Sequence, residues 1–576
     1  MKRRFARTLT ILSLALAVAA TDAAVFHVAV RHPNADDANA GTPDRPFKTI
    51  TKATTVVAPG DRVLIHTGIY REKVTIETSG TEAAPITFEA APGAHVTVTG
   101  AEQLTEWVPE KDEPRVYSTA WPHAYITWYE HRCHPHDDYH RMVGRAEQIH
   151  INQYALLQVL ERSKLSRGTF FVDAAAKRLY VWDRANRKVT GNPCTVEASV
   201  RPILWTCTAQ HIRIRGLRFR YAANRAQEAA VNIGGSDNLI EHCVIERTNA
   251  LGAVFHGARN IIRQCVFQDN GWDGFDAGGE DLLFTECLVR NNNTKDWNRD
   301  WGGGGNKIVF ARNMVIEKST FVDNRGHGIW FDIGNEDCVV RNCLIANNEN
   351  AGIFYEISYG LHAHDNVIVG NGLAPRARAW GANGGISISS SPGCLIERNL
   401  IVANKEGLQY REQTRTTPRI DDRKAKEPVW NHDITVRNNV IAYNRDAQTA
   451  GWFATGDERH WPANSARRKN GKPAAADALC LEKLNLTMRD NLYGVQPGQK
   501  LFQWGCLFPN FSAHVYEDLA QVREELGLEK GSRVDQLELA GSCLTLDFRV
   551  AAGSSVLKAK CYPQGDVPGV KLGVNR

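Results

Sequence analysis

The sequence predicts an all-β solenoid, a parallel β-helix in which one short coil is stacked on itself many times. Three observations carry this reading. Short apolar runs that close in Asn recur as CVIERTN, CVFQDN, CLVRNN, STFVDN, CLIANN, NVIVGN, NLIVAN and NVIAYN. Their anchors, Cys243, Cys265, Cys287, Ser319, Cys343, Asn366, Asn399 and Asn439, are spaced by 22, 22, 32, 24, 23, 33 and 40 residues. A steady period with occasional inserts means one supersecondary unit repeated, the inserts leaving as loops. Within each unit the apolar residues alternate and are broken by Gly or Asn, the pattern of strands and not of helix pairs.

The chain opens with Lys2, Arg3, Arg4 and Arg7 before the apolar run LTILSLALAVAA, with small residues around Ala19 to Ala23. This is the pattern of a secretory signal peptide over residues 1–23, too short and wrongly flanked for a membrane anchor. No later stretch has the length to span a bilayer. Removing the four basic residues of the leader takes Lys plus Arg from 69 to 65, against 64 Asp plus Glu. A near-neutral mature chain gives no push toward a polyanionic substrate, and no nucleic-acid partner is expected. The expected location is secreted or periplasmic, and the expected oligomeric state is a monomer.

Residues 24–104 read as a cap and the first coils. FHVAV opens a strand, GTPDRPFKTITKATTVV follows as a turn and a short amphipathic helix, and PGDRVLIHTGIYREKVTI and APITFEAAPGAHVTVTG supply further strands. A short N-terminal helix would cover apolar interior at the end of the stack. Residues 105–200 break the period. They contain the hairpin GTFFVDAAAKRLYVWDR and read as a small inserted β-rich domain. The insert holds HRCHPHDDYHR, with His131, Cys133, His134, His136, Asp137, Asp138 and His140. Its spacing matches no closed zinc or copper set, so a polar loop overhanging the groove is the preferred reading. The central β-helix spans 201–445, with surface excursions at 371–383 and 412–433. C-terminal coils and a cap fill 446–576, where VYEDLAQVREELGL is expected to form a helix.

Stacked coils place equivalent residues about 4.8 Å apart, so Cys243, Cys265, Cys287 and Cys343 should form an interior file. Small buried thiols packed as apolar groups are expected, because no CxxC-type spacing accompanies them. The file passes to Asn366, Asn399 and Asn439, as in an Asn ladder that satisfies turn backbone. Thirteen cysteines is an odd count, so at least one is unpaired within the chain.

The segment Gly41 to Ile76, with GTPDRPFKTI and GIYREKV, resembles the opening of secreted right-handed parallel β-helix proteins of the pectate-lyase-like superfamily. That resemblance, with the crossover rule for parallel strands, implies a right-handed coil. It implies a carbohydrate-active enzyme on a polysaccharide or oligosaccharide, without naming the activity.

Chemistry is sought on the strand that begins each coil: GFDAG, GNKIV, GIWFD, GIFYE, GISIS and GLQYR. Alternation sends Ile329, Phe331, Ile353, Tyr355, Ile386 and Ile388 inward. The outward residues are then Asp276, Lys307, Trp330, Asp332, Phe354, Glu356, Ser387, Ser389, Gln409 and Arg411. Asp332 and Glu356 hold one position on successive coils, 24 residues apart. Two carboxylates that close cannot both ionise cheaply, so one pKa should rise unless a cation intervenes. A solvated face would explain any one of these charges. The shared strip with Trp330 and Phe354, and Trp297 and Trp301 on the adjacent insert KDWNRDWGGGGN, argue for a sugar groove. His327 and Arg411 complete the substrate-binding set. WFDIGN, GIFYEIS and the upstream GGGxK element are similar to a pattern of secreted β-helix proteins that degrade glycans.

Two mechanisms fit the strip. In a glycoside hydrolase Asp332 and Glu356 act as acid and as nucleophile or base, with Asp276 as a more distant base if inversion occurs. In a polysaccharide lyase Lys307 removes a proton, while Asp276, Asp332 and Glu356 hold calcium. The hydrolase is preferred, and no metal is required for it. A non-catalytic glycan-binding β-helix would keep the aromatics without needing the carboxylate pair. GGGG precedes a strand and opens no helix, so it cradles no phosphate. Cys133 lacks the defined pocket a thiol nucleophile needs.

Overall fold

The structure is a computed structural model that describes residues 23–124, 145–190, 194–375, 381–413, 415–454, 468–469, 472–473, 484–508, 512–542, 545–558, 562, 571 and 574–575. The leader as far as residue 22 and the segment HRCHPHDDYHR lie outside them.

The chain winds into three long sheets of 13 strands each. Each turn of the coil contributes one strand to each sheet. One coil, for example, lays down Val339–Arg341, Leu344–Ala346 and Ile353–Glu356 in succession. Each strand pairs in parallel with its equivalents on the coils before and after. The exception among the long sheets is Ser512–Tyr516, which runs antiparallel to Lys500–Phe508 at the C-terminal end of the third sheet. The third sheet carries the strip described above. The interior is a continuous column of Val, Ile, Phe and Cys side chains from Val28 to Leu528.

At the N-terminal end a short helix, Ile50–Thr54, buries Ile50 and Ala53, its start fixed by the Thr49 side chain accepting from the Lys52 amide. At the other end the helix Leu519–Leu526 buries Leu519, Val522 and Leu526. Asp518 caps its first turn, and Gly527, at φ 66°, ends it in the left-handed conformation. The repeat continues past Asn444, where the sequence pattern fades, through strands Ala447–Ala454, Thr487–Arg489 and Leu492–Gly494. Between the strands Ala101–Leu104 and Val196–Ser199 the chain builds two smaller sheets, of four and five strands. The hairpin Thr169–Asp173 with Arg178–Trp182 lies in the larger, over a core that includes Trp107, Trp121, Phe170 and Leu179.

The anchor residues do form one interior file. The Cys265 amide donates to Cys287 Sγ, the Cys287 amide to Ser319 Oγ, and the Cys343 amide to Asn366 Oδ1. Asn366, Asn399, Asn439 and Asn491 continue it. Cys243, Cys265, Cys287 and Cys343 are buried and free, and burial pushes the thiols of Cys243, Cys265 and Cys343 up. The residue before each anchor explains why a polar or thiol rung is needed. His242, Gln264, Glu286, Lys318, Asn342, Asp365, Arg398 and Asn438 all have φ between 48° and 55°. The chain bends there too sharply for sheet pairing, and the rung supplies the missing partner for the next amide.

The Asn that closes each repeat forms a second ladder of Asn270, Asn292, Asn324, Asn348, Asn371, Asn404 and Asn444. Asn348 Oδ1 accepts from the Asn324 amide and Nδ2, while its own Nδ2 donates to the Phe321 carbonyl and Asn371 Oδ1. An Asn348→Leu variant leaves several of these buried groups unpaired. It is expected to lose about 2–4 kcal/mol, read as a lower denaturant midpoint with the β-sheet circular dichroism kept at low denaturant.

Candidate active site

The outward face of the third sheet is a grid, and the strand pairings set its rows. Asp276 faces Lys307, Trp330 faces Phe354, Phe354 faces Ser387, and Ser387 faces Gln409. One row across, Glu356 faces Ser389, which faces Arg411. Because Phe331 pairs with Tyr355, Asp332 lies on the rung beside Glu356. On the opposite flank, Asp273 faces Gly304, and Gly384 faces Glu406.

Lys307 is the hub. Its Nζ stands 3.0 Å from Asp332 Oδ2, donates to the Trp301 carbonyl at 2.8 Å, and rests 4.2 Å over the ring of Trp330. Its backbone N–H donates to Asp276 Oδ1 at 3.0 Å. Asp332 and Glu356 are each 6 % exposed. Burial, and then the charge of Glu356, push the Asp332 carboxyl up to about 6 against the opposing pull of Lys307. Glu356 Oε1 takes Arg415 Nη1 at 3.0 Å and stands 4.0 Å from Arg411 Nη1. Each carboxylate of the pair therefore has its own cation. This arrangement does not fit a calcium ion held by Asp276, Asp332 and Glu356, because cationic side chains already occupy the approach to two of the three. Among the described residues no three His, Cys, Asp or Glu side chains converge to hold a metal.

Arg415 is absent from the sequence-derived set. It stands on a hairpin, Arg415–Thr417 with Glu427–Val429, inside the excursion read as a surface loop. The excursion is docked. Both ends are held by the buried Glu412, which accepts from the Gln413 and Asn431 amides. From there the loop reaches back along the coils. Arg419 pairs with Glu336 at 2.9 Å, Asp421 pairs with Arg312 at 2.7 Å, and Arg423 lies 4.4 Å over Phe310. No local pattern announces such a contact, since Arg415 and Glu356 are 59 residues apart.

The aromatic residues differ from the open sugar platforms the sequence suggested. Trp330 and Phe354 are 3 % and 2 % exposed, packed with Ala351 and Ala382. His327 stacks on Phe354 at 4.7 Å and tilts against Trp330 at 5.0 Å, while Arg411 lies 5.7 Å from the Phe354 ring. These rings form a floor beneath the charged groups. Trp297 is also buried, in a cluster with Trp272, Ala250 and Leu251, so it does not line an open cleft. The reason is local: Asn293 ties the loop back on itself by accepting from the Trp297 amide and donating to the Trp297 carbonyl. Trp301 keeps partial exposure and stacks on Trp272 at 5.0 Å.

The sequence reading also passed over Asp273. It is buried beside Asp276, and its Oδ1 accepts from the Gly303 amide at 3.0 Å. Burial pushes Asp273 up to about 7, and burial with the Asp273 charge pushes Asp276 well above the usual carboxylate range.

Comparison with known proteins bears on the fold. A right-handed β-helix family profile matches residues 229–401, and a profile of unknown function, DUF1565, matches 34–91. An uncharacterised protein of Bacillus subtilis (strain 168), YwoF, is 38 % identical over 68 residues, which are 12 % of this chain and 14 % of that protein. The structure of XylC in complex with xylose superposes with a TM-score of 0.63 at 16 % identity, covering 92 % of this chain and 88 % of that one. A structure described as a glycoside hydrolase aligns at TM-score 0.47 and 12 % identity, over 89 % of this chain and 95 % of that one. A mannuronic-acid-specific family 6 polysaccharide lyase aligns at TM-score 0.43 and 11 % identity, over 89 % and 92 %. With its three parallel sheets and its matched coil region, the chain folds as a right-handed parallel β-helix.

Proposed function

We propose that the chain is a secreted glycoside hydrolase whose working groups are the carboxyls of Asp332 and Glu356. The observation that supports this most is their placement. They occupy adjacent rungs of one outward file, both buried, each against its own cation. Neighbouring strands lie about 4.8 Å apart, close to the roughly 5–5.5 Å between the two carboxyls of a retaining enzyme. In that mechanism one carboxyl protonates the glycosidic oxygen while the other attacks the anomeric carbon. Water then releases the glycosyl ester, with the first group now taking the proton. Asp332 keeps its proton up to about pH 6, held there by burial and by the charge of Glu356.

Lys307 serves here as a charge partner. Its ion pair, its donated hydrogen bond and its seat over Trp330 are all contacts of an ammonium, not of a base awaiting a proton. Arg411 and Arg415 orient Glu356, while Trp330, Phe354 and His327 support the charged layer. The basic and apolar leader supports the secreted part of this reading.

The test is a panel of neutral and uronic glycans and aryl glycosides, with xylosides first because XylC is described with xylose. New reducing ends without the ultraviolet absorbance of an unsaturated product are expected. An unsaturated product that appears only with calcium would overturn the hydrolase in favour of elimination.

A further inference from the structure

The strip is graded from acidic to basic side chains. Asp273 and Asp276 stand at one end, the Asp332 and Glu356 pair lies in the middle, and Arg411 and Arg415 stand at the other. Lys307 adjoins the acid end, but its ammonium is turned to Asp332, Trp301 and Trp330. The charge of Lys307 acts on both acids at that end, yet among the described residues its ion pair is with Asp332 and not with them.

Polar capacity is left over there. Asp273 Oδ1 is satisfied by the Gly303 amide, yet Asp273 Oδ2 is buried with no partner. Trp272 Nε1, also buried and without a partner, borders the same turn, since a Cβ on Gly302 would lie 2.6 Å from it. Asp276 gives one oxygen to the Lys307 amide and keeps part of its surface open to solvent. Buried polar atoms are rarely left unpaired. An unpaired acceptor and an unpaired indole donor beside a partly open carboxyl are what a sugar diol would satisfy, each hydroxyl both giving and taking a hydrogen bond.

We propose that Asp276, backed by Asp273 and Trp272, is the subsite that recognises a neutral sugar unit through adjacent hydroxyls, and that it disfavours a uronate there. This rests on the glycosidase reading and adds the substrate class to it. A second carboxyl pair that burial keeps protonated both gives and takes hydrogen bonds with hydroxyls, whereas an ionised uronate carboxylate would enter the same charge-disfavouring surroundings with the nearest ammonium already committed. Asp276 would touch the substrate. Asp273 would act through Asp276 as a positioning residue.

Binding and turnover are read separately. Wild-type protein is titrated with xylose, glucose and glucuronate by calorimetry, and kcat and KM are measured on the best aryl glycoside from the panel. The neutral sugars are expected to bind at least about tenfold more tightly than glucuronate. Asp276→Ala should weaken neutral-sugar binding by roughly tenfold or more and raise KM more than it lowers kcat. Asp276→Asn keeps an acceptor for the Lys307 amide and guards against loss of fold; it should show a smaller shift in the same direction. Asp273→Asn should raise KM and move the pH dependence of sugar binding, a readout that a purely structural role would leave alone. Glucuronate binding as tightly as xylose, no neutral-sugar binding, or unchanged binding in both Asp276 variants would each overturn the subsite. Sugar binding without bond cleavage would instead defeat the hydrolase reading and leave the subsite standing.

Discussion

Asp332→Asn and Glu356→Gln should each lower kcat/KM at least about a hundredfold, the lower end for loss of general acid–base catalysis. Both changes keep shape and hydrogen-bonding size, so thermal midpoints close to wild type are expected. The loss falls on kcat and not on KM, because the interaction removed belongs to the transition state. An external anion such as azide should restore turnover in the variant that lacks the nucleophile, yielding a glycosyl azide, and this assigns the two roles. Full activity in both variants, on a substrate that wild type cleaves, would sink the assignment. The wild-type pH profile is bound to the same pair. Asp332 is raised to about 6, so below that value the pair holds the proton that the leaving oxygen needs. Above it the proton is lost and the rate should fall.

The coil was legible in the sequence because its cause is periodic. Cys243, Cys265 and Cys287 recur every 22 residues since each fills the same rung after the same left-handed bend, and the Asn residues recur for the same reason. Asp332 and Glu356 were legible on equal grounds: a strip that alternates in and out carries its outward residues in register from coil to coil. Local patterning does not reveal what crosses the coils. Arg415 reaches Glu356 from a loop that looked merely polar, because its contact is set by where the docked hairpin lies. Trp297 looked like a platform because a tryptophan in a Gly-rich insert reads as exposed. The Asn293 side chain closes that loop and buries the ring against Trp272. Asp273 was passed over because it precedes the aligned segment, although it faces Gly304 on the next coil.

Lys307→Met should produce the other large effect, and its form separates the two chemistries. The ammonium now opposes burial and the Glu356 charge in setting Asp332, so removing it drives the Asp332 carboxyl further up. The pair then holds its shared proton to higher pH, and the falling limb of the rate profile should move upward from about 6. At the new optimum the site lacks the ammonium that balances the carboxyl pair in the transition state, and the maximal kcat should drop by roughly ten- to a hundredfold. Methionine fills much of the space over Trp330, so a collapsed site is not the expected cause. Lys307→Arg restores the charge but not the geometry, since a planar guanidinium cannot serve the Trp301 carbonyl, Asp332 and the Trp330 face as a compact ammonium does. It should bring the pH limb back toward the wild-type position while recovering only part of the rate. If Lys307 were instead the base of an elimination, Lys307→Met would abolish turnover at every pH with no limb left to shift, and the wild-type product would be unsaturated. A displaced limb with residual hydrolysis ties Lys307 to the ionisation of Asp332 and not to proton abstraction from the substrate.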